Sequence, residues 1–144
     1  MKKILFKSEM VRAILDGRKT QTRRIHADMS KPRYNVGDVV YVGERYCTCD
    51  ECLCFPDLRE CFKAKWKPGM FMPEEYARIK LKITGKKKER ICDISEADAI
   101  AEGFNPRPER NSSAVQEFLL YFAKINPKAE PETEVWVYTF ERIK

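Results

Sequence analysis

Between Gly17 and Arg24 the chain reads Gly-Arg-Lys-Thr-Gln-Thr-Arg-Arg, four cations and two hydroxyls in eight residues with no acid among them. Lys and Arg at that density attract anions, and a phosphate or a polar nucleobase edge is the commonest such target. The segment predicts a ligand-facing site. A second group of chemistry-bearing residues follows at Cys47, Cys49, Cys52 and Cys54, with Cys61 seven residues on. A chain from a reducing compartment rarely concentrates thiols without a metal or redox reason.

If Asp50-Glu51 forms a two-residue turn, Cys49 faces Cys52 and Cys47 faces Cys54, and strand alternation puts all four on one face. Four thiolates at ~2.3 Å suit tetrahedral zinc. A Cys49-x-x-Cys52 knuckle completed by Cys61 and one neighbour is a close variant. Such a zinc is structural: with no open position it activates no water. A redox-labile disulfide and a reactive loop are the rival readings. Cys92 is expected to be a small buried residue in a strand, and His26, the single histidine, to lie at the surface.

The elements that must position these groups are legible from periodicity. Ile4 to Phe6 reads as a strand. Ser8 suits an N-cap for a helix with Met10, Val11, Ile14 and Leu15 on one face, stopped at Asp16-Gly17. Thr20 to Ile25 reads as extended, placing Thr20, Thr22 and Arg24 on one side; Lys19 joins them only if the chain turns at Gly17. Val39 to Tyr46 is a strand after a Gly37-Asp38 turn. Arg78 to Ile83 alternates as a half-buried strand, with Lys86, Lys87 and Lys88 in a turn before a further extended segment to Ile94. Ser95 opens a capped helix closing at Gly103. Ser112 or Ser113 starts another, with Val115, Phe118, Leu119, Phe122 and Ile125 on one face. Val135 to Phe140 is the closing strand. There is no early glycine-rich phosphate loop, repeated βαβ unit or internal repeat, and no organic cofactor is expected. The pattern predicts an α+β fold with a small, curled, mostly antiparallel sheet or barrel.

Residues 1–144 are the length of one domain. With 43% hydrophobic and 35% charged residues the composition is that of a folded globular protein. No apolar run is long enough to span or engage a membrane, and a cytoplasmic location is expected. The net charge of +6 permits nucleic-acid binding without requiring it.

Gly17-x-Lys19-x-x-x-x-Arg24 resembles the signature of the ASCH domain family, relatives of the PUA RNA-binding domain. Further matches run in order: Gly37-Asp38 with Val39 to Glu44; Trp66-x-Pro68 with Met72-Pro73; Ala77-Arg78-Ile79; Ile94-Ser95-Glu96 to Ala101-Glu102-Gly103; and Trp136-Val137. The likeness is greatest to ASCH proteins of phages and prophages and covers all but the cysteine-rich insertion at 47–61. It implies a PUA-like β-barrel with flanking helices and a cleft that includes the Gly-x-Lys segment. The family often has Glu where Thr22 stands, and the phage type often has His where Phe71 stands. A branch that hydrolyses N4-acetylcytidine is similar at Lys19, Thr22 and Glu102, which implies Lys as base, Thr as nucleophile and Glu as proton donor.

Elementary chemistry sets the conditions for those roles. A threonine hydroxyl needs an adjacent base. Lysine serves as that base if burial or neighbouring cations bring its pKa from ~10.4 to roughly 7–8. The leading expectation is RNA or modified-nucleoside binding in a cleft lined by Lys19, Thr22, Arg24 and Glu102, with Gly17, Arg18, Glu44 and Arg45 contributing. The alternative is amide hydrolysis of N4-acetylcytidine. Ribonuclease activity, for which no histidine pair or carboxylate set speaks, and a non-catalytic phage or host protein adaptor are further alternatives. Blander readings stand beside each: Glu102 as an ion-pair partner of Arg24, Glu44 and Arg45 as surface pairs, and Tyr46 and Trp66 as packed rings rather than base-stacking platforms.

Overall fold

In the computed structural model the strands are β1 (Lys2–Leu5), β2 (Gln21–Arg24), β3 (Val39–Gly43), β4 (Cys47–Cys49), β5 (Cys52–Cys54), β6 (Lys80–Arg90) and β7 (Glu134–Ile143). The helices are α1 (Ser8–Leu15), α2 (Glu96–Ala101) and α3 (Ala114–Ile125). The described residues are 1–49, 52–57 and 65–143, with the backbone alone at Cys49 and Cys52. Asp50-Glu51 and Cys61 lie outside them.

Five strands form one mixed sheet in the order β1-β3-β6-β7-β2. All neighbours are antiparallel except β1 and β3. The class is therefore α+β, as the element pattern predicts. The expected barrel does not close: β1 and β2 are the two edges of the sheet and do not pair with each other. The chain passes from one edge to the other through α1, so the edges stay close while the seam between them is left open.

Apolar alternation builds the inside of this curl. Ile4, Val40, Val42, Leu81, Ile83, Tyr138 and Phe140 are buried there against Val11 and Ile14 of α1. The other face of β7, Val135 and Val137, packs on Ala99 of α2 and on Phe118 and Phe122 of α3. Ser95 caps α2, accepting from the Asp98 N–H at 3.1 Å, and Ser113 forms a capping box with Gln116 at the start of α3. Glu96 links the two helices, its carboxylate accepting from the N–H groups of Ala114 and Val115 at 3.0 Å each.

Three local expectations need correction. Ser8 is not the cap of α1; Lys7 holds the extended cap position without a side-chain bond, because β1 runs extended up to it and its carbonyl accepts the first helical N–H bonds. Lys86, Lys87 and Lys88 are not a turn. They continue β6 and pair with Tyr138, Val137 and Trp136, Gly85 being absorbed at an irregularity of register rather than reversing the chain. Their polarity reflects exposure, not a bend. Cys92 is exposed and sits in a 3₁₀ turn at Ile91–Asp93, where no strand alternation operates.

Candidate functional site

The open seam between β1 and β2 leads into a cavity of about 440 Å³ lined by Lys19, Thr22, Arg23, Arg24 and Glu102. Its apolar walls include Phe6 after β1, Met10 of α1 and Phe118 and Tyr121 of α3. The structure thus brings together, around one hollow, two helix exits and an edge strand.

Lys19 reaches the site because α1 ends abruptly. Asp16 and Gly17 close the helix, Gly17 at φ +79°, and the Lys19 N–H still bonds back to the Ala13 carbonyl at 3.1 Å. This is the turn that strand alternation alone does not supply. Thr20 then ties the start of β2 to α2, its N–H donating to the Ala101 carbonyl at 2.7 Å. Glu102 is the C-terminal cap residue of α2, and Gly103 beyond it takes φ +102°. A Cβ at Gly103 would stand 3.0 Å from the Ala13 Cβ and 3.4 Å from the Lys19 Cβ, so the lysine and the glutamate are held together by close backbone approach.

The result is a buried ion pair. Lys19 Nζ donates to Glu102 Oε2 at 2.8 Å and to the Glu102 carbonyl at 2.9 Å. The other carboxylate oxygen, Oε1, accepts from Arg23 Nη1 at 2.9 Å. Lys19 carries three N–H bonds, and Glu102 takes two. Burial pushes the Lys19 ammonium below its ordinary value, more than the Glu102 carboxylate restores it, with Arg24 and Arg23 adding to the depression.

Arg23 is not among the site residues expected from the sequence. Its side chain is fully buried and bonds Glu102, Glu89 at 2.7 Å, Asp98 at 3.3 Å and the Gln21 side-chain oxygen. It fixes the Glu102 carboxylate from behind. The signal lay in Glu89 and Asp98, acids without assigned partners, but pairing an acid at 89 with a cation at 23 requires the sheet order.

Arg24 does not pair with Glu102 directly. Its Nη2 donates to the Leu5 carbonyl at 2.6 Å and its Nε to Thr22 Oγ1 at 3.1 Å. Its guanidinium lies 4.8 Å from the Phe6 ring centroid and the Lys19 ammonium 5.6 Å from it, so both cations rest against one aromatic ring. Among the described residues no carboxylate is in ion-pair contact with Arg24. Tyr121 on the α3 wall has its phenol pushed up to about 12, chiefly by burial, and stays neutral. The wall residues Phe118, Tyr121, Phe122 and Ile125 follow i, i+3, i+4 and i+7 spacing; only Tyr121 escaped the predicted helix face.

The remaining candidates fall elsewhere. Gly17 and Arg18 do not line the cavity; Arg18 is exposed and donates to the Gly103 carbonyl at 3.0 Å. Glu44 is buried but turned to Arg78, which grips it through two hydrogen bonds of 2.9 and 2.7 Å. Arg45 is exposed and lies 5.5 Å from the Trp66 ring centroid. Both leave the cleft because the chain crosses at the end of β3. There Gly43 and Gly69 pack so closely that a Cβ on Gly69 would meet the Gly43 carbonyl carbon and the Glu44 nitrogen at 2.7 Å. Tyr46 is buried with Phe55 and Met72, a packed ring and not a stacking platform. His26 is half-buried, 2.7 Å from the Tyr138 hydroxyl, so it belongs to the core margin and not to the solvated surface.

Fold and site together define an open, curled α+β sheet with a cation-lined internal hollow. No protein-family model matches the sequence, and no curated protein matches it. The chain is similar to solved structures, among them the following two. The crystal structure of protein EF3133 from Enterococcus faecalis V583, family model DUF984, aligns with a TM-score of 0.57 at 14% identity over 99% of this chain and 76% of that one. An ASCH domain from Lactobacillus crispatus JV V101 aligns with a TM-score of 0.49 at 15% identity, covering 98% and 78%. The chain has the fold of the Enterococcus protein. Among the described residues no helix is long and apolar enough to cross a membrane.

Proposed function

We propose that the protein binds RNA or a modified nucleoside, with one base seated in the hollow between β1 and β2. The observation that carries this reading is the convergence of Lys19, Thr22, Arg24 and Glu102 on one cavity with aromatic walls. Its size falls in the ordinary range for a small-molecule site. Flat apolar sides suit the faces of a base, and the carboxylate and cations suit its edge and an adjoining phosphate. The likeness of the sequence motifs to ASCH domains points the same way. Titration calorimetry with cytidine, N4-acetylcytidine and a short single-stranded RNA tests it. Binding that falls about 10-fold or more in Lys19→Ala is expected, the scale of a lost charged hydrogen bond. No heat of binding with any of the three ligands removes the proposal.

The buried Lys19–Glu102 pair favours a second reading, hydrolysis of N4-acetylcytidine. One proton shared along the 2.8 Å contact lets the pair convert from ammonium and carboxylate to amine and carboxylic acid. The amine then takes the Thr22 hydroxyl proton as the oxygen attacks the acetyl carbon, and the acid protonates the departing N4 amine. Water, deprotonated by the Lys19 amine, then cleaves the Thr22 ester, and the net change is N4-acetylcytidine and water to cytidine and acetic acid, which ionises to acetate and a proton. Chromatographic detection of cytidine distinguishes this from binding alone; Thr22→Val should abolish release while leaving binding measurable.

A further inference from the structure

The β4–β5 ribbon carries a second site, independent of the nucleoside reading. Its register pairs Cys47 with Cys54 and Cys49 with Cys52. Directly opposed residues of an antiparallel pair share a face, as do residues two apart on one strand. All four cysteines therefore occupy one face of the ribbon. Burial marks which face that is: Cys47 and Cys54 are 1% and 2% exposed, whereas Thr48 and Leu53 on the opposite face are exposed.

A two-stranded ribbon is marginal by itself, because it buries too little apolar surface to offset the ordering of its backbone. This one is anchored at its base. Tyr46 and Phe55, the residues flanking the Cys47–Cys54 pair, pack with Met72. Arg78 lies 4.2 Å from the Phe55 ring centroid and binds Asp57 at 2.6 Å and Glu44 at 2.7 Å. Beyond the base, thiols stand where a ribbon would ordinarily place Val, Ile or an aromatic ring. The four register positions span roughly 7 Å along the strands and ~5 Å across them. Curling of the ribbon about this face, in the sense of its natural twist, is what brings four sulfurs to ~2.3 Å from one centre.

We infer that Cys47, Cys49, Cys52 and Cys54 bind one divalent zinc ion as four thiolates, and that this ion supplies the ribbon with the core it lacks. Four sulfur ligands leave no open position, so the role is structural. Binding releases the thiol protons, and the closed tetrathiolate carries a net charge of −2.

Metal analysis of the full chain, purified with zinc in reducing buffer, tests the assignment. One equivalent of zinc per chain is expected, falling below about 0.2 in Cys47→Ser and in Cys52→Ser and unchanged in Cys61→Ser. Cobalt replacement of the zinc should give the intense visible bands of tetrahedral cobalt thiolate. In case the variants do not fold, thiol titration of the unaltered protein provides a second readout: four thiols shielded until chelator is added. Less than about 0.1 equivalent of metal with every thiol reactive at once overturns the inference. So does loss of zinc in Cys61→Ser together with retention in Cys47→Ser, which would move the site to the knuckle. Both results leave nucleoside binding at the β1–β2 hollow untouched, so the two proposals fail separately.

Discussion

Arg24 of β2 donates a 2.6 Å hydrogen bond to the carbonyl of Leu5 at the end of β1, joining by a single side chain two sheet edges that no backbone ladder connects. Because the guanidinium also rests on Phe6 and bonds Thr22, one residue sets the width of the cavity mouth and the orientation of the hydroxyl inside it. Arg24→Gln is expected to weaken nucleoside binding about 10-fold. Arg18→Ala and Arg45→Ala, which remove exposed cations outside the hollow, should change it by less than about 2-fold. Calorimetric titration of the three variants with one nucleoside checks the contrast.

Lys19 gives the protein a predictable response to alkali. Its folded-state pKa lies below the unfolded value of 10.5, burial being the main cause. Between those two values the unfolded chain holds more protons than the folded one, so this group makes stability rise with pH through that window. Below the folded pKa both states are protonated and the cost of burying the charge is fully present. Urea unfolding midpoints of the unaltered protein and Lys19→Gln, compared from pH 7 to pH 10, should diverge in favour of the unaltered protein as pH increases.

Arg23 holds three acids at once, and its side chain is wholly inaccessible. Arg23→Met should therefore destabilise the fold by about 3–5 kcal/mol, the cost of leaving buried charges without a partner. Denaturant unfolding monitored by tryptophan fluorescence measures this. A loss under ~1 kcal/mol would mean that Glu102 is secured by Lys19 alone.

The crossing of Gly43 and Gly69 beneath the cavity admits no side chain. A Cβ on Gly69 meets backbone atoms at 2.7 Å, whereas one on Gly85 meets only the Thr139 side chain at 3.5 Å. Gly69→Ala should cost about 1–3 kcal/mol and Gly85→Ala no more than about 0.5 kcal/mol. Thermal melts of the pair decide it.

Local signals carried most of the elements. Apolar spacing placed α1 and α3, β propensity placed β7, and Ser95 and the Ser112–Ser113 pair marked two helix starts, because all of these depend on near neighbours in the chain. What the sequence could not express was the sheet order. β2 lies beside β7, which itself pairs with β6, and that order brings Arg23 against Glu89, while the packing of α2 on the exit of α1 turns Glu102 toward Lys19 and Arg23. Lys19 and Thr22 were recognisable from the cationic segment itself. Phe6 and Tyr121 were not, since an aromatic ring lining a hollow and one filling a core have the same local pattern. The Lys86 to Lys88 run misled for a related reason: charge reports exposure, and exposed strands and turns share it.

The first edge strand, α1 and the second edge strand are consecutive in the chain, yet among the described residues β2 forms its ladder with β7, the final element. During synthesis on the ribosome, the cationic segment therefore emerges early and waits for more than a hundred further residues before its sheet neighbour appears. Until then Arg23 is separated from Glu89, Asp98 and Glu102, and the early segment is a polybasic strand with an unsatisfied backbone. Nascent chains halted before β7 should accordingly expose this stretch to protease, and protection should arrive in a single late step.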